Sequence, residues 1–119
     1  MTRTEYDVVA LGELLIDFTA QGAGADGYPL MAAHPGGAPA NFLAVLARYG
    51  LKTALLAKVG NDAFGRLLRR TVEREGIDTA GVVVDDAAFT TLAFVTLDEN
   101  GERDFSFARK PGADMLLRY

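Results

Sequence analysis

The sequence predicts an α/β fold, in which a parallel sheet is flanked by helices and accompanied by a small, separate β-sheet. Apolar strand-like runs alternate with helical patterns through the middle of the chain, and this alternation is typical of parallel sheets. Two groups of extended segments, one early and one late, do not fit that layer. They predict a second sheet that lies over the first.

The early part of the chain is predicted to be extended. The run 6–12 is apolar without alternation, as expected of a strand buried on both faces of a sheet. Residues 13–19 extend this strand or form a second one, and the glycine-rich stretch 21–27 predicts a turn. Residues 28–33 then predict a returning strand, which Pro29 restricts to a sheet edge.

Two helices and two further strands follow in alternation. The first helix follows a Pro-Gly-Gly break at 35–37 and stops at Gly50, and the second is capped by Asn61 or Asp62 and stops at Gly76. The strands 53–59 and 82–84 follow them. The extended runs 90–97 and 103–109 flank an Asn-Gly pair and predict a hairpin.

Composition narrows the functional classes. The chain has 119 residues, a formal net charge of −4 and no cysteine. These values indicate no basic surface for nucleic acid, no polybasic membrane anchor, no disulfide scaffold and no thiolate chemistry. No stretch has the length of a membrane span, and we expect a cytoplasmic protein. The one histidine, His34, is expected to lie solvated in a loop, and no second ligand is spaced for a metal.

The segment 36–41, Gly-Gly-Ala-Pro-Ala-Asn, runs directly into the first predicted helix. A glycine pair there lets backbone N–H groups approach a ligand, and the helix dipole favours partial negative charge. Asn41, one turn in, can both donate to and accept from hydroxyl groups. The spacing alone also fits, and slightly favours, a glycine-rich turn with Asn41 on a solvated helix face. Neither the dinucleotide fingerprint nor the P-loop occurs in the chain.

Two other stretches carry candidate binding groups. Asp17 follows soon after a buried strand, where ligands bind in open α/β sheets, although an exposed strand-end aspartate is the alternative. Phe105, Phe107 and Arg109 share one face of the last strand by their period of two. They can close over a polar ligand, or form an aromatic core face that ends in an exposed arginine.

Together these segments resemble the PfkB/ribokinase-like carbohydrate kinase family, and among its members most closely the fructokinases. The resemblance rests on the opening segment 8–18, the segments 35–50 and 59–65, and Phe-Ala-Arg-Lys-Pro-Gly-Ala-Asp at 107–114. It covers the whole chain, 1–119, and implies a ribokinase-like α/β domain. It also implies a small β-sheet lid built from about 13–33 and 88–110.

The resemblance implies specific roles. Members of the family transfer the ATP γ-phosphoryl group to a sugar hydroxyl with the help of Mg²⁺. The residues implied to contact the sugar are Asp17, Gly36, Gly37, Asn41, Phe107 and Arg109. The family's catalytic aspartate stands in a Gly-Ala-Gly-Asp segment, which this chain lacks. No catalytic or metal-binding residue is therefore assigned, and the chain is expected to be an incomplete, N-terminal portion with no kinase turnover of its own.

Three alternatives stay open at this point. The chain can be a non-catalytic sugar-binding form, a form that pairs as a homodimer through its lid, or part of a 2-keto-3-deoxygluconate kinase. The identity of the sugar is open as well. Ala38 follows the glycine pair where ribokinases usually carry lysine, which favours the fructokinase side of the resemblance.

Overall fold

A computed structural model describes residues 5–118. The strands are β1 Val8–Leu11, β2 Leu15–Ala23, β3 Pro29–Gly36, β4 Thr53–Gly60, β5 Ile77–Asp78, β6 Val82–Asp85, β7 Leu92–Leu97 and β8 Arg103–Ala108. The helices are α1 Ala38–Arg48 and α2 Ala63–Arg74, and a short 3-10 turn spans Ala113–Leu116. The predicted α/β class is confirmed.

The first sheet is parallel and has β4 at its centre. Strand β1 pairs with one side of β4, and β5 and β6 pair with the other. Both helices cover the same face, where Leu43 of α1 and Leu68 of α2 are fully buried against Leu55 of β4. The opposite face leaves Val9 and Leu11 half exposed. The prediction of flanking helices therefore holds for one face of the sheet in the described residues.

The second sheet has the strand order β3-β2-β7-β8. Strands β2 and β7 are parallel, and the two outer pairs are antiparallel. One face of this sheet packs on α2, because Phe18 meets Phe64 edge to face at 5.4 Å and stacks on Phe94 at 5.1 Å. Side chains alternate across a sheet, so the neighbours of Phe18 and Phe94 along their strands point to the other, free face.

Strand β3 is longer than the sequence predicts, and this corrects the expectation for His34. The strand continues through His34 and Pro35 to Gly36, so His34 lies in a strand and not in a loop. Pro35 does not end the pairing because β3 is an edge strand, whose outward N–H positions need no partner within the sheet. His34 is nevertheless exposed, as expected.

Asp62 caps α2 as predicted, and it also joins the helix to the start of β7. Its carboxylate accepts hydrogen bonds from the backbone N–H of Gly65 at 2.8 Å, the N–H of Thr90 at 2.9 Å and the hydroxyl of Thr90 at 2.8 Å. Burial alone would raise the pKa of Asp62, but these bonds outweigh it and lower the pKa below the ordinary 3.8.

We therefore expect Asp62→Ala to lower the free energy of unfolding by about 2 kcal/mol at neutral pH, since it removes a cap and two further hydrogen bonds. Because the folded-state pKa is lowered, this stabilisation is complete above the ordinary value of 3.8 and is lost as the pH falls through the folded-state value. Urea unfolding at pH 7 and pH 3 measures both effects. If Asp62→Ala and the unaltered chain differed in unfolding free energy by the same amount at pH 7 and pH 3, the assignment of Asp62 as an ionised cap would be contradicted.

Candidate functional site

Asp17 lies on the free face of the second sheet. It pairs with His34 of β3 on one side and with Ala93 of β7 on the other, and Ala93 pairs in turn with Phe107 of β8. Residues paired across neighbouring strands point to the same face. The structure therefore brings Asp17, His34 and Phe107 into one row, with Asp17 and Phe107 two strand spacings, about 9–10 Å, apart.

Gly36 and Gly37 let the start of α1 approach Asp17 and the β1–β2 connection. A Cβ atom at Gly36 would collide with the Asp17 carboxylate. A Cβ atom at Gly37 would lie 2.5 Å from the carbonyl oxygen of Glu13, and the φ of 117° at Gly37 is in the region that favours glycine. Gly37 is the N-cap residue and supplies no side-chain cap, so N–H groups of the first helical turn stay available to a ligand.

Asn41 lies one turn into α1, where its backbone N–H donates to the carbonyl of Gly37 at 3.2 Å. Its side chain is exposed and lines a cavity of about 340 Å³ between α1 and α2, together with Gly36. Asp17 lines a different cavity, of about 390 Å³, on the second sheet. Gly36 lines the cavity of Asn41, and a Cβ atom at Gly36 would collide with the Asp17 carboxylate. The structure thus places Asp17 beside Gly36 but does not enclose Asp17 and Asn41 in one cavity.

Phe107 and Arg109 lie at the end of β8 nearest the first sheet. The Arg109 guanidinium lies over the Phe107 ring at 5.1 Å from its centroid, and the rings of Phe107 and Phe105 stack at 6.4 Å. Both rings are about half exposed on the free face of the sheet. This aromatic surface is the sequence-predicted one, and the cation–π contact orients the arginine on it.

The arginine is held by two carboxylates that sequence reasoning did not assign to the site. Arg109 Nη2 lies 2.7 Å from Asp114 Oδ2 and 3.2 Å from Glu13 Oε2. Asp114 is almost fully buried and also accepts a hydrogen bond from the buried Thr91 hydroxyl. The pair of carboxylates offsets the arginine charge, so this corner of the site carries no excess positive charge for an anion.

Asp17 has a different electrostatic setting. Within residues 5–118 its carboxylate has no hydrogen-bond or ion-pair partner. Burial raises the pKa of Asp17 and the nearby Glu13 carboxylate raises it further, whereas His34 lowers it. A partly buried carboxylate with a raised pKa and free acceptor atoms is suited to bind hydroxyl groups of a ligand.

Comparison with known proteins shows the family of the chain. The model of the family described as "pfkB family carbohydrate kinase" matches residues 6–118. The chain belongs to the pfkB family of carbohydrate kinases. Every segment described above, from Asp17 to Arg109, falls within the matched range of this pfkB-family chain.

Individual relatives agree in sequence and in fold. Fructokinase-1 of Oryza sativa subsp. japonica is 48% identical over 114 residues, which are 94% of this chain and 35% of the relative. The crystal structure of fructokinase from Xylella fastidiosa matches with a TM-score of 0.88 at 41% identity, over 93% of this chain and 34% of that one. A structure from E. coli in complex with ATP and Mg²⁺ matches with a TM-score of 0.82 at 33% identity, over 94% of this chain and 36% of that one.

The pfkB-family chain therefore spans about a third of the length of these relatives. Residues 5–118 contain no group of three or more histidine or acidic side chains that is placed to hold a metal ion. No helix in the same range is long and apolar enough to cross a membrane.

Proposed function

We propose that this chain forms the sugar-binding part of an ATP-dependent carbohydrate kinase of the fructokinase type. One observation carries the proposal: Asp17, a partly buried carboxylate without a protein partner in residues 5–118, shares a row and a face with the half-exposed Phe107. A carboxylate accepts hydrogen bonds from sugar hydroxyls, while an apolar wall with few polar groups is the usual surround of a small-molecule site.

In this proposal the sugar hydroxyls contact Asp17, Gly36, Gly37 and Asn41, and Phe107 and Arg109 close over the sugar from the second sheet, which acts as a lid. These residues bind and orient the acceptor hydroxyl, and orientation supplies a large part of the barrier reduction in phosphoryl transfer. ATP and Mg²⁺ would serve the whole protein, as they are present in the related E. coli structure. No step of the transfer is assigned to residues of this chain.

The charges around Arg109 favour a neutral sugar over a sugar acid. Glu13 and Asp114 both pair with Nη2 of the guanidinium, and Asp17 adds a third negative charge nearby. A substrate carboxylate, as in 2-keto-3-deoxygluconate, would meet net negative charge here. We therefore propose a neutral ketose, with fructose as the first candidate. Tighter binding of the keto-sugar acid than of fructose would contradict this choice.

A homodimer through the second sheet and a cytoplasmic location also belong to the proposal. The second sheet exposes large apolar side chains, among them Leu30 and Leu97, and Tyr28, which directly precedes β3, is exposed as well. Exposed apolar patches mark interaction sites. Analytical ultracentrifugation tests the dimer, and a monomer at every concentration would contradict it.

Replacing Asp17 by asparagine separates function from stability. We expect fructose affinity to fall at least tenfold, because charge-assisted hydrogen bonds are lost. The fold should be as stable or slightly more stable at pH 7, since a raised pKa means that the ionised carboxylate is unfavourable in the folded state. Calorimetric titration with fructose and urea unfolding measure the two effects.

Asp104→Asn is the matched control, because Asp104 is exposed on β8 and points to the other face of the sheet. It should leave fructose affinity unchanged. No heat of binding with fructose for the unaltered chain, or equal affinity for the unaltered chain and Asp17→Asn, would refute the proposed site.

A further inference from the structure

His34 is a polar side chain beside the proposed sugar site that the proposed function does not yet use. It is the direct cross-strand partner of Asp17, and directly opposite residues of antiparallel strands have Cβ atoms about 4.5–5.5 Å apart. Both residues line the cavity of about 390 Å³ on the free face of the second sheet, with Phe105 on its far side. The position is therefore part of a concave surface and not an isolated point on an edge strand.

The two side chains are close but leave their hydrogen-bonding groups free. Within residues 5–118 neither His34 nor Asp17 forms a side-chain hydrogen bond or an ion pair, with each other or with another residue. The two side chains nevertheless interact electrostatically, because His34 lowers the pKa of Asp17 while burial and Glu13 raise it. An imidazole nitrogen and a carboxylate oxygen thus stand side by side, each able to bond a separate group of a ligand.

We propose that His34 is a second sugar-contacting residue, which with Asp17 forms a donor–acceptor pair for neighbouring hydroxyls of the substrate. Each sugar hydroxyl is both a donor and an acceptor, so a carboxylate that only accepts and an imidazole that can donate are complementary partners for two of them. This inference rests on the proposed function, because it adds a residue to the same sugar site.

His34 can be observed directly by NMR, because it is the single histidine of the chain. The ring protons of histidine therefore give one pair of NMR signals that needs no assignment by mutation. On addition of fructose to the 119-residue chain, we expect these signals to shift together with the backbone amides of Gly36, Gly37 and Asn41. We expect His34→Ala to weaken fructose binding about tenfold, and His34→Gln, which keeps a donor and an acceptor, to stay within about threefold.

Met31→Ala is the control, because Met31 lies on the same strand, is also exposed and points to the opposite face. It should leave the affinity unchanged. If fructose shifts the glycine and Asn41 amides but not the histidine ring, or if His34→Ala binds as tightly as the unaltered chain, the inference is overturned while the proposed function stands. If fructose shifts none of these signals, the proposed function fails and the inference fails with it.

Discussion

Replacing Gly37 by alanine is expected to lower the free energy of unfolding by about 4 kcal/mol and to abolish sugar binding. The φ of 117° at this position is strained for any residue with a Cβ atom, at about 1–3 kcal/mol. The new Cβ would also lie 2.5 Å from the Glu13 carbonyl oxygen, and relieving such an overlap costs about 1–3 kcal/mol more. Because the neighbour is backbone, α1 must move away from the β1–β2 connection.

Urea unfolding followed by circular dichroism measures the stability, and calorimetric titration with fructose measures the binding. The matched control is Gly27→Ala, since Gly27 also has a positive φ, of 84°, but nothing lies within 4 Å of its Cβ position. That variant should show only the backbone strain, about 1 kcal/mol, and unchanged sugar affinity. Equal losses of unfolding free energy in Gly37→Ala and Gly27→Ala would contradict the prediction. They would mean that the overlap with the Glu13 carbonyl adds nothing to the backbone strain.

Local patterns predicted those parts of the fold that local physics determines. Strand β4 forms where a continuous apolar run predicts it, because such a run must be buried on a sheet. Helix α2 begins where Asp62 can accept its first free N–H groups, and it ends before Gly76, whose φ of 83° suits a chain reversal. In these two segments the residue types and their spacing are compatible with few other secondary structures.

Contacts between distant residues could not be read from the same patterns. Glu13 and Arg109 are 96 positions apart, and their ion pair exists only because the second sheet brings the end of β8 to the end of β1. The Pro-Gly-Gly segment predicts a loop around His34. An edge strand tolerates proline, however, so β3 continues through His34 and Pro35. The cross-strand pairing with Asp17, which gives His34 its position, depends on a register that no local signal fixes.

Replacing Asp114 by alanine is expected to lower the free energy of unfolding by about 3 kcal/mol. Its carboxylate is almost fully buried and binds both Arg109, at 2.7 Å, and the buried hydroxyl of Thr91. Removing one member of a buried ion pair costs about 3–5 kcal/mol, because the remaining charge loses its partner. The lower end applies here, since Glu13 still contacts the guanidinium at 3.2 Å. Sugar affinity should fall as well, because Arg109 is no longer fixed over Phe107.

Glu75→Ala provides the comparison that isolates burial. Arg48 and Glu75 form an ion pair at 3.1 Å, but their side chains are 69% and 35% exposed, against 3% for Asp114. Exposed pairs contribute at most about 1 kcal/mol, so this variant should lose little stability in the same urea experiment. Similar losses for both variants would show that Asp114 acts as an ordinary surface charge. A large loss confined to Asp114→Ala would instead tie the stability of the chain to the network that positions Arg109 at the sugar site.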